Sequence, residues 1–192
     1  MKKNTLIIFS GLPGVGKTTL AEKLARTFRW PLLKIDDVIG NVPENPGIEF
    51  WDSKVDVLLD LVNTQLALGL DVIVDSVFMN MDRQHAQKLA QKYQSRFLPI
   101  YVFVSDDKVW QERVEKRRNE MNDQNVATWE NIQHQREHFS PWQSNTALFI
   151  DSLNSVDQNF KSVLDFVAKE EIFLEPLAEV QLSQGRYHRW IR

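Results

Sequence analysis

The chain has 192 residues, a length that suits one domain able to bury most of its apolar surface. Hydrophobic residues supply 43%, charged residues 26%, and the formal net charge is −3, which argues against extended disorder and against nucleic-acid binding through bulk positive charge. The absence of cysteine excludes disulfides, thiolate metal sites and cysteine nucleophiles.

Thr5–Ser10 is apolar and partly β-branched, as a buried strand requires. A glycine-rich turn follows, and Leu20, Ala21, Leu24, Ala25 and Phe28 then recur at helical spacing. Trp30-Pro31 ends that helix, because proline disfavours helical geometry in the residue before it. Leu32–Ile35 reads as a short strand closing on Asp36-Asp37, and the prolines and asparagines of Gly40–Gly47 mark a loop. From Ile48 to Leu68 the apolar stripe Val55, Leu58, Leu59, Val62 and Leu66 predicts a helix that Gly69 stops. Asp71–Asp75 is a third strand. Asp82 is expected to cap a helix reaching Gln94, with Ala86, Leu89, Ala90 and Tyr93 facing inward. Phe97–Val104 is a fourth strand. A charged helix over Lys108–Asn119, a polar stretch to Asn125 and a helix from Thr128 to about His138 come next. Ala147–Asp151 is a fifth strand, and Val156–Ala168 a last core helix.

Five alternations of strand and helix specify a parallel sheet covered by helices on both faces, in which ligands gather at the carboxyl ends of the strands. The first strand ends in the glycine turn, the second in Asp36-Asp37 and the third in Asp75, so all three should meet at one edge. The apolar runs are too short to span a bilayer, since a membrane helix needs about 20 such residues; a cytoplasmic location is expected. The last seven residues carry Arg186, Arg189 and Arg192 beside Tyr187 and Trp190. Residues 171–192 therefore read as an extension, either docked on its own domain or meeting a partner subunit in a homodimer or an anionic ligand.

The turn carries the chemistry. Gly11-Leu12-Pro13-Gly14-Val15-Gly16-Lys17-Thr18 matches G-x-x-x-x-G-K-[ST] in full, between a buried strand and an amphipathic helix. Its glycines let main-chain amides close around phosphate oxygens at the positive end of the following helix. Lys17 is placed to neutralise the β and γ phosphates of ATP, Thr18 to offer its hydroxyl to Mg²⁺, and Thr19 to reach the α-phosphate. Asp75 can hold the Mg²⁺ shell, or act as a turn or cap residue. Asp36 is assigned as a general base toward an acceptor hydroxyl, and Asp37 to a supporting or metal-shell role; a solvated cap is the plainer alternative for the pair. Arg113 and Arg117 share a helix face and suit transition-state charge, with Arg118 beside them, although an exposed charged helix would read the same way. Arg136, His138 and Phe139-Ser-Pro-Trp142 border the same region without an assigned role. Trp30, Trp51, Trp110 and Trp129 read as packing residues, and core filling is the simpler role for Met79 and Met81.

On these residues the chain resembles the ATP-dependent P-loop kinases grouped with chloramphenicol phosphotransferase, gluconate kinase, zeta toxin and the kinase half of phage polynucleotide kinase, chains also described as AAA-type ATP-binding proteins. Gly11–Thr19, Ile35-Asp36-Asp37, Val72–Ser76 and Glu112-Arg113 with Arg117 carry the resemblance, which spans about residues 1–170. It implies a P-loop NTPase three-layer α/β/α sandwich, a five-stranded sheet of order 2-3-1-4-5 and a helical lid over about residues 113–138. It implies Lys17 and Thr18 for ATP and Mg²⁺, Asp36 as the base, and Arg113 or Arg117 as lid arginines. Polynucleotide kinases carry an arginine shortly after the acidic pair; Val38 and Ile39 stand here, followed by Gly40. A small-molecule hydroxyl is therefore the expected acceptor and nucleic acid is disfavoured. A polynucleotide 5′-hydroxyl kinase and a nucleotide-gated ATPase or binding module remain the alternatives.

Overall fold

A computed structural model describes residues 3–39, 50–121, 127–143 and 145–169. Five strands, β1 (Thr5–Ser10), β2 (Leu32–Lys34), β3 (Val72–Asp75), β4 (Arg96–Phe103) and β5 (Leu148–Asp151), form one sheet of order β2-β3-β1-β4-β5. Every pairing is parallel, and β1 lies at the centre with Leu6 opposite both Val72 and Phe97. The order and direction match the expectation from sequence. β1 is buried along its whole length, which is why its sequence lacks the polar alternation of a half-exposed strand.

Side chains that alternate along a strand feed two separate cores. Ile7 and Phe9 of β1, with Ile73, Leu98, Ile100 and Val102, face α1 (Lys17–Phe28) and α7 (Val156–Ala168). Leu6 and Ile8, with Val72, Val74 and Phe97, face α3 (Phe50–Ala67) and α4 (Asn80–Lys92). The predicted stripe of α3 is buried from Val55 to Leu66. Tyr93 of the α4 stripe is only partly buried, because its hydroxyl donates to Asn63 Oδ1 at 2.8 Å and ties α4 to α3. Phe28 is exposed rather than core, since α1 ends there in a left-handed Arg29 and the ring leans on Trp30 at 4.8 Å.

Two boundary differences bear on singled-out residues. Ile35 belongs to α2 (Ile35–Ile39) rather than to β2, so Asp36 and Asp37 occupy the first turn of a short helix, where carboxylates oppose the positive dipole end. α4 begins two residues before Asp82, whose carboxylate accepts the Met79 backbone N–H at 2.8 Å from the third helical position. The predicted loop Gly40–Gly47 and the extension 171–192 lie outside the described residues. α5 (Asp107–Met121) and α6 (Trp129–His138) flank residues 122–126, which also lie outside. The N-terminal half of α5 is no loose flap, because Trp110 and Val114 join Ile132 of α6 in the same core as Leu12 and Val15.

The exit from β1 admits only glycine. Gly11 has φ +138°, and a Cβ there would stand 2.2 Å from the Val102 carbonyl oxygen of β4. Gly69, also at positive φ (+74°), would place a Cβ in open space. Gly69→Ala should therefore cost about 1 kcal/mol and lower Tm by roughly 2–4 °C, whereas Gly11→Ala should cost about 3 kcal/mol and lower it by roughly 6–12 °C. Thermal melts of the two variants beside the parent chain check the ordering.

Candidate active site

Between β1 and α1 the chain makes one curl, residues 11–16. Gly14 (φ +79°) passes so close to α5 that a Cβ would meet Val114 Cγ2 at 2.7 Å. The Trp110 indole N–H donates to the Pro13 carbonyl at 2.9 Å, while Leu12 and Val15 are buried beneath the curl. Gly16 (φ +95°) caps α1 without any side-chain hydrogen bond. The first-turn amides of α1 thus receive no side-chain cap from Gly16, and the curl has the form of an anion cradle. Thr19 is exposed on that first turn.

Lys17 opens α1 and is 9% exposed, its ammonium donating to the Leu12 carbonyl at 3.0 Å. Burial holds its pKa below the ordinary lysine value; Asp75 and Asp36 pull it back up, and Arg117 pushes it further down. The Thr18 hydroxyl donates to Asp75 Oδ2 at 2.5 Å. Asp75 closes β3 opposite Phe9 of β1, so parallel pairing delivers it beside the curl. Burial raises its pKa, against the pull of Lys17 and the Thr18 hydrogen bond. A hydroxyl and a carboxylate side by side form an oxygen-only donor pair, the chemistry that hard Mg²⁺ prefers.

Asp36 lies near enough to Lys17 and Asp75 to act on both electrostatically. Its Oδ2 lies 3.7 Å from Arg117 Nη2 of α5, an ion pair between two exposed side chains. Asp37 turns elsewhere: it pairs with Lys34 at 3.5 Å, and Lys34 also reaches Glu22 at 3.7 Å. The two arginines part ways too. Arg113 donates to the hydroxyl of Ser152 at 2.7 Å and to its carbonyl at 3.1 Å, in the turn after β5. The site thus gathers Lys17, Thr18, Asp75, Asp36 and Arg117, with Arg113 held at its β5 side and Asp37 at its rim.

Other residues near the site settle into structural contacts. Arg136 pairs with Asp107 at 2.9 Å, and Phe139 stacks on Tyr101 at 5.8 Å. Met79 packs against the core and Met81 is exposed. Ser152 escaped the sequence reading, which gave Ser10 and Trp142 no role of their own. The Trp142 indole donates to Ser10 Oγ at 2.6 Å, directly beneath Gly11, and the Arg83 guanidinium lies 4.8 Å from the Trp142 ring. Ser152 was findable, since it follows a strand's carboxyl end as Asp36 and Asp75 nearly do.

The family model described as an AAA domain matches residues 6–142. The chain belongs to the AAA domain family. Among solved structures, this AAA domain is similar to a provisionally assigned kinase from Chloroflexus aurantiacus, at 22% identity and TM-score 0.69, over 87% of this chain and 95% of the other. It is similar to a gluconokinase from Sinorhizobium meliloti 1021, at 16% identity and TM-score 0.63, over 88% and 94%. It is also similar to the Mycobacterium tuberculosis APS kinase in complex with AMPPNP and APS, at 16% identity and TM-score 0.61, over 88% and 100%. At these identities the likeness establishes a shared fold. No helix among the described residues is long and apolar enough to cross a membrane.

The raised pKa of Asp75 would make any metal binding through this carboxylate pH-sensitive in a defined direction. A protonated carboxyl does not ligate Mg²⁺, and Asp75 protonates above the ordinary value of 3.8. The Mg²⁺-dependent rise in Tm with a nucleotide triphosphate should therefore begin to shrink at a higher pH than an ordinary carboxylate would allow, as pH is lowered. In Asp75→Asn that rise should be absent across the range; differential scanning calorimetry with and without EDTA reads both.

Proposed function

We propose that this AAA domain protein is a kinase that transfers the γ-phosphoryl group of ATP to a hydroxyl of a small molecule. What supports the reading is that Asp36, paired with Arg117, lies near enough to Lys17 and Asp75 to act on both electrostatically. A switch or simple ATPase needs the cradle, whereas a further carboxylate near it is what an acceptor hydroxyl requires.

ATP is bound by the amides of residues 11–16 and the first turn of α1, with Lys17 balancing the charge of the β and γ phosphates. Lys17 suits this task because burial leaves its ammonium under-solvated, so it gains more from a polyanion than an exposed lysine would. Thr18 and Asp75 would hold Mg²⁺, which when bound screens the phosphate oxygens. Asp36 accepts the proton of the acceptor hydroxyl as its oxygen bonds to the γ-phosphorus and ADP departs. Arg117, released from Asp36 by the incoming substrates, turns its guanidinium to the equatorial oxygens of the transferring group. Arg113, fixed on Ser152, supports the β5 side of the nucleotide site. Asp37 serves from the rim, where it orients Lys34.

Lys17→Ala should abolish ATP consumption. Asp36→Asn should leave ATP affinity within about twofold of the parent and slow turnover by about 10²–10⁴-fold, the range of a lost general base. A panel of small hydroxylated molecules, assayed for ADP release and followed by ³¹P NMR, tests the assignment with Lys17→Ala as control. Phosphate delivered only to water, or unchanged turnover in Asp36→Asn, would overturn it.

A further inference from the structure

α6 has the sequence Trp-Glu-Asn-Ile-Gln-His-Gln-Arg-Glu-His over Trp129–His138. At about 100° per residue, His134, Glu137 and His138 fall within an arc of about 100° centred opposite Ile132. Ile132 is fully buried, so helix geometry sends the other three outward together. All three are exposed. The two imidazole rings meet edge to face with centroids 5.1 Å apart, and His134 Nδ1 lies 3.7 Å from Glu137 Oε2. One ligand atom from each residue lies within 4.8 Å of the others. Ligands on a tetrahedral Zn²⁺ with bonds near 2.05 Å stand about 3.3 Å apart, and exposed side chains close that difference by rotation about their own bonds.

We propose that His134, Glu137 and His138 form a transition-metal site, two imidazole nitrogens and one carboxylate oxygen on a single helical turn, that takes Zn²⁺ with water in the remaining position. The donor types set it apart from the Thr18–Asp75 pair. Imidazole nitrogen favours Zn²⁺ over hard Mg²⁺, whereas hydroxyl and carboxylate oxygens favour the reverse. The neighbouring residue Arg136 does not repel the cation at close range, because its guanidinium is turned to both oxygens of Asp107 at 2.9 and 3.0 Å. A bound ion would clasp the last turn of α6, the helix whose Trp129 packs edge-on at 5.2 Å against Trp110, the residue that holds Pro13. The site is independent of the kinase reading.

The test uses the untagged full chain, stripped with EDTA, desalted and titrated with zinc chloride by calorimetry. Stoichiometric saturable binding is expected, together with a Zn²⁺-dependent rise in Tm. His134→Ala and His138→Ala should each weaken binding by more than about tenfold, at least the loss that removal of a merely supporting partner brings. His138→Gln should do the same while preserving side-chain bulk and helix content by circular dichroism. His85, the remaining histidine among the described residues, sits on α4, and His85→Gln should bind as the parent does. Excess Mg²⁺ should not displace the zinc. Unaltered affinity in the His134 or His138 variants, displacement by Mg²⁺, or no saturable binding by the parent would each overturn the site.

Discussion

The structure turns on two opposite charges drawn out of water at the carboxyl edge of the central strands. Lys17 and Asp75 are both buried, and the protein offers each less solvation than water does, as the opposite displacements of their pKa values record. A fold selected for stability alone would fill such a place with apolar side chains. On the proposed reading, the phosphate cradle gives these charges their use. Lys17 must start α1 directly after Gly16, and Asp75 must end β3 beside Phe9, because parallel pairing around β1 leaves those two chain ends adjacent.

Surrounding contacts can be understood as ways of holding that edge still. Gly11 lies against the backbone of β4, and Gly14 against Val114. Trp142 and Ser10 fix the root of the curl from below, and Arg113 with Ser152 fixes the turn after β5. The Asp36–Arg117 pair, by contrast, links α2 to α5 through exposed side chains. Exposed pairs contribute little to stability, so this contact can break and reform during a catalytic cycle at small energetic cost.

Much of this was legible in the amino-acid order. β1 and β3 announce themselves because burial on both faces demands unbroken apolar runs, and α3 because its stripe repeats at helical spacing. The phosphate curl is legible because its glycines answer a steric demand that few other residues meet. Ile35 was misread because an apolar residue at a strand end serves equally well as the start of a helix. Asp82 stands three positions past the cap, because a carboxylate can stabilise a helix start from either the cap or the third helical position. Arg113 and Arg117 share a face but stand about 6 Å apart along the axis. One therefore reaches Ser152 and the other Asp36, a divergence that only the placement of β5 and α2 reveals. The Trp142–Ser10 bond joins residues 132 positions apart and leaves no local trace.

The indole of Trp110 gives the molecule a built-in gauge. It is buried, holds Pro13 through its N–H, and stands edge-on to Trp129. Any rearrangement of the curl that pulls Pro13 away strips that N–H of its acceptor and alters the ring's electronic surroundings. The contribution of Trp110 to the near-ultraviolet emission of the unlabelled protein, one of six tryptophans, therefore depends on where Pro13 sits.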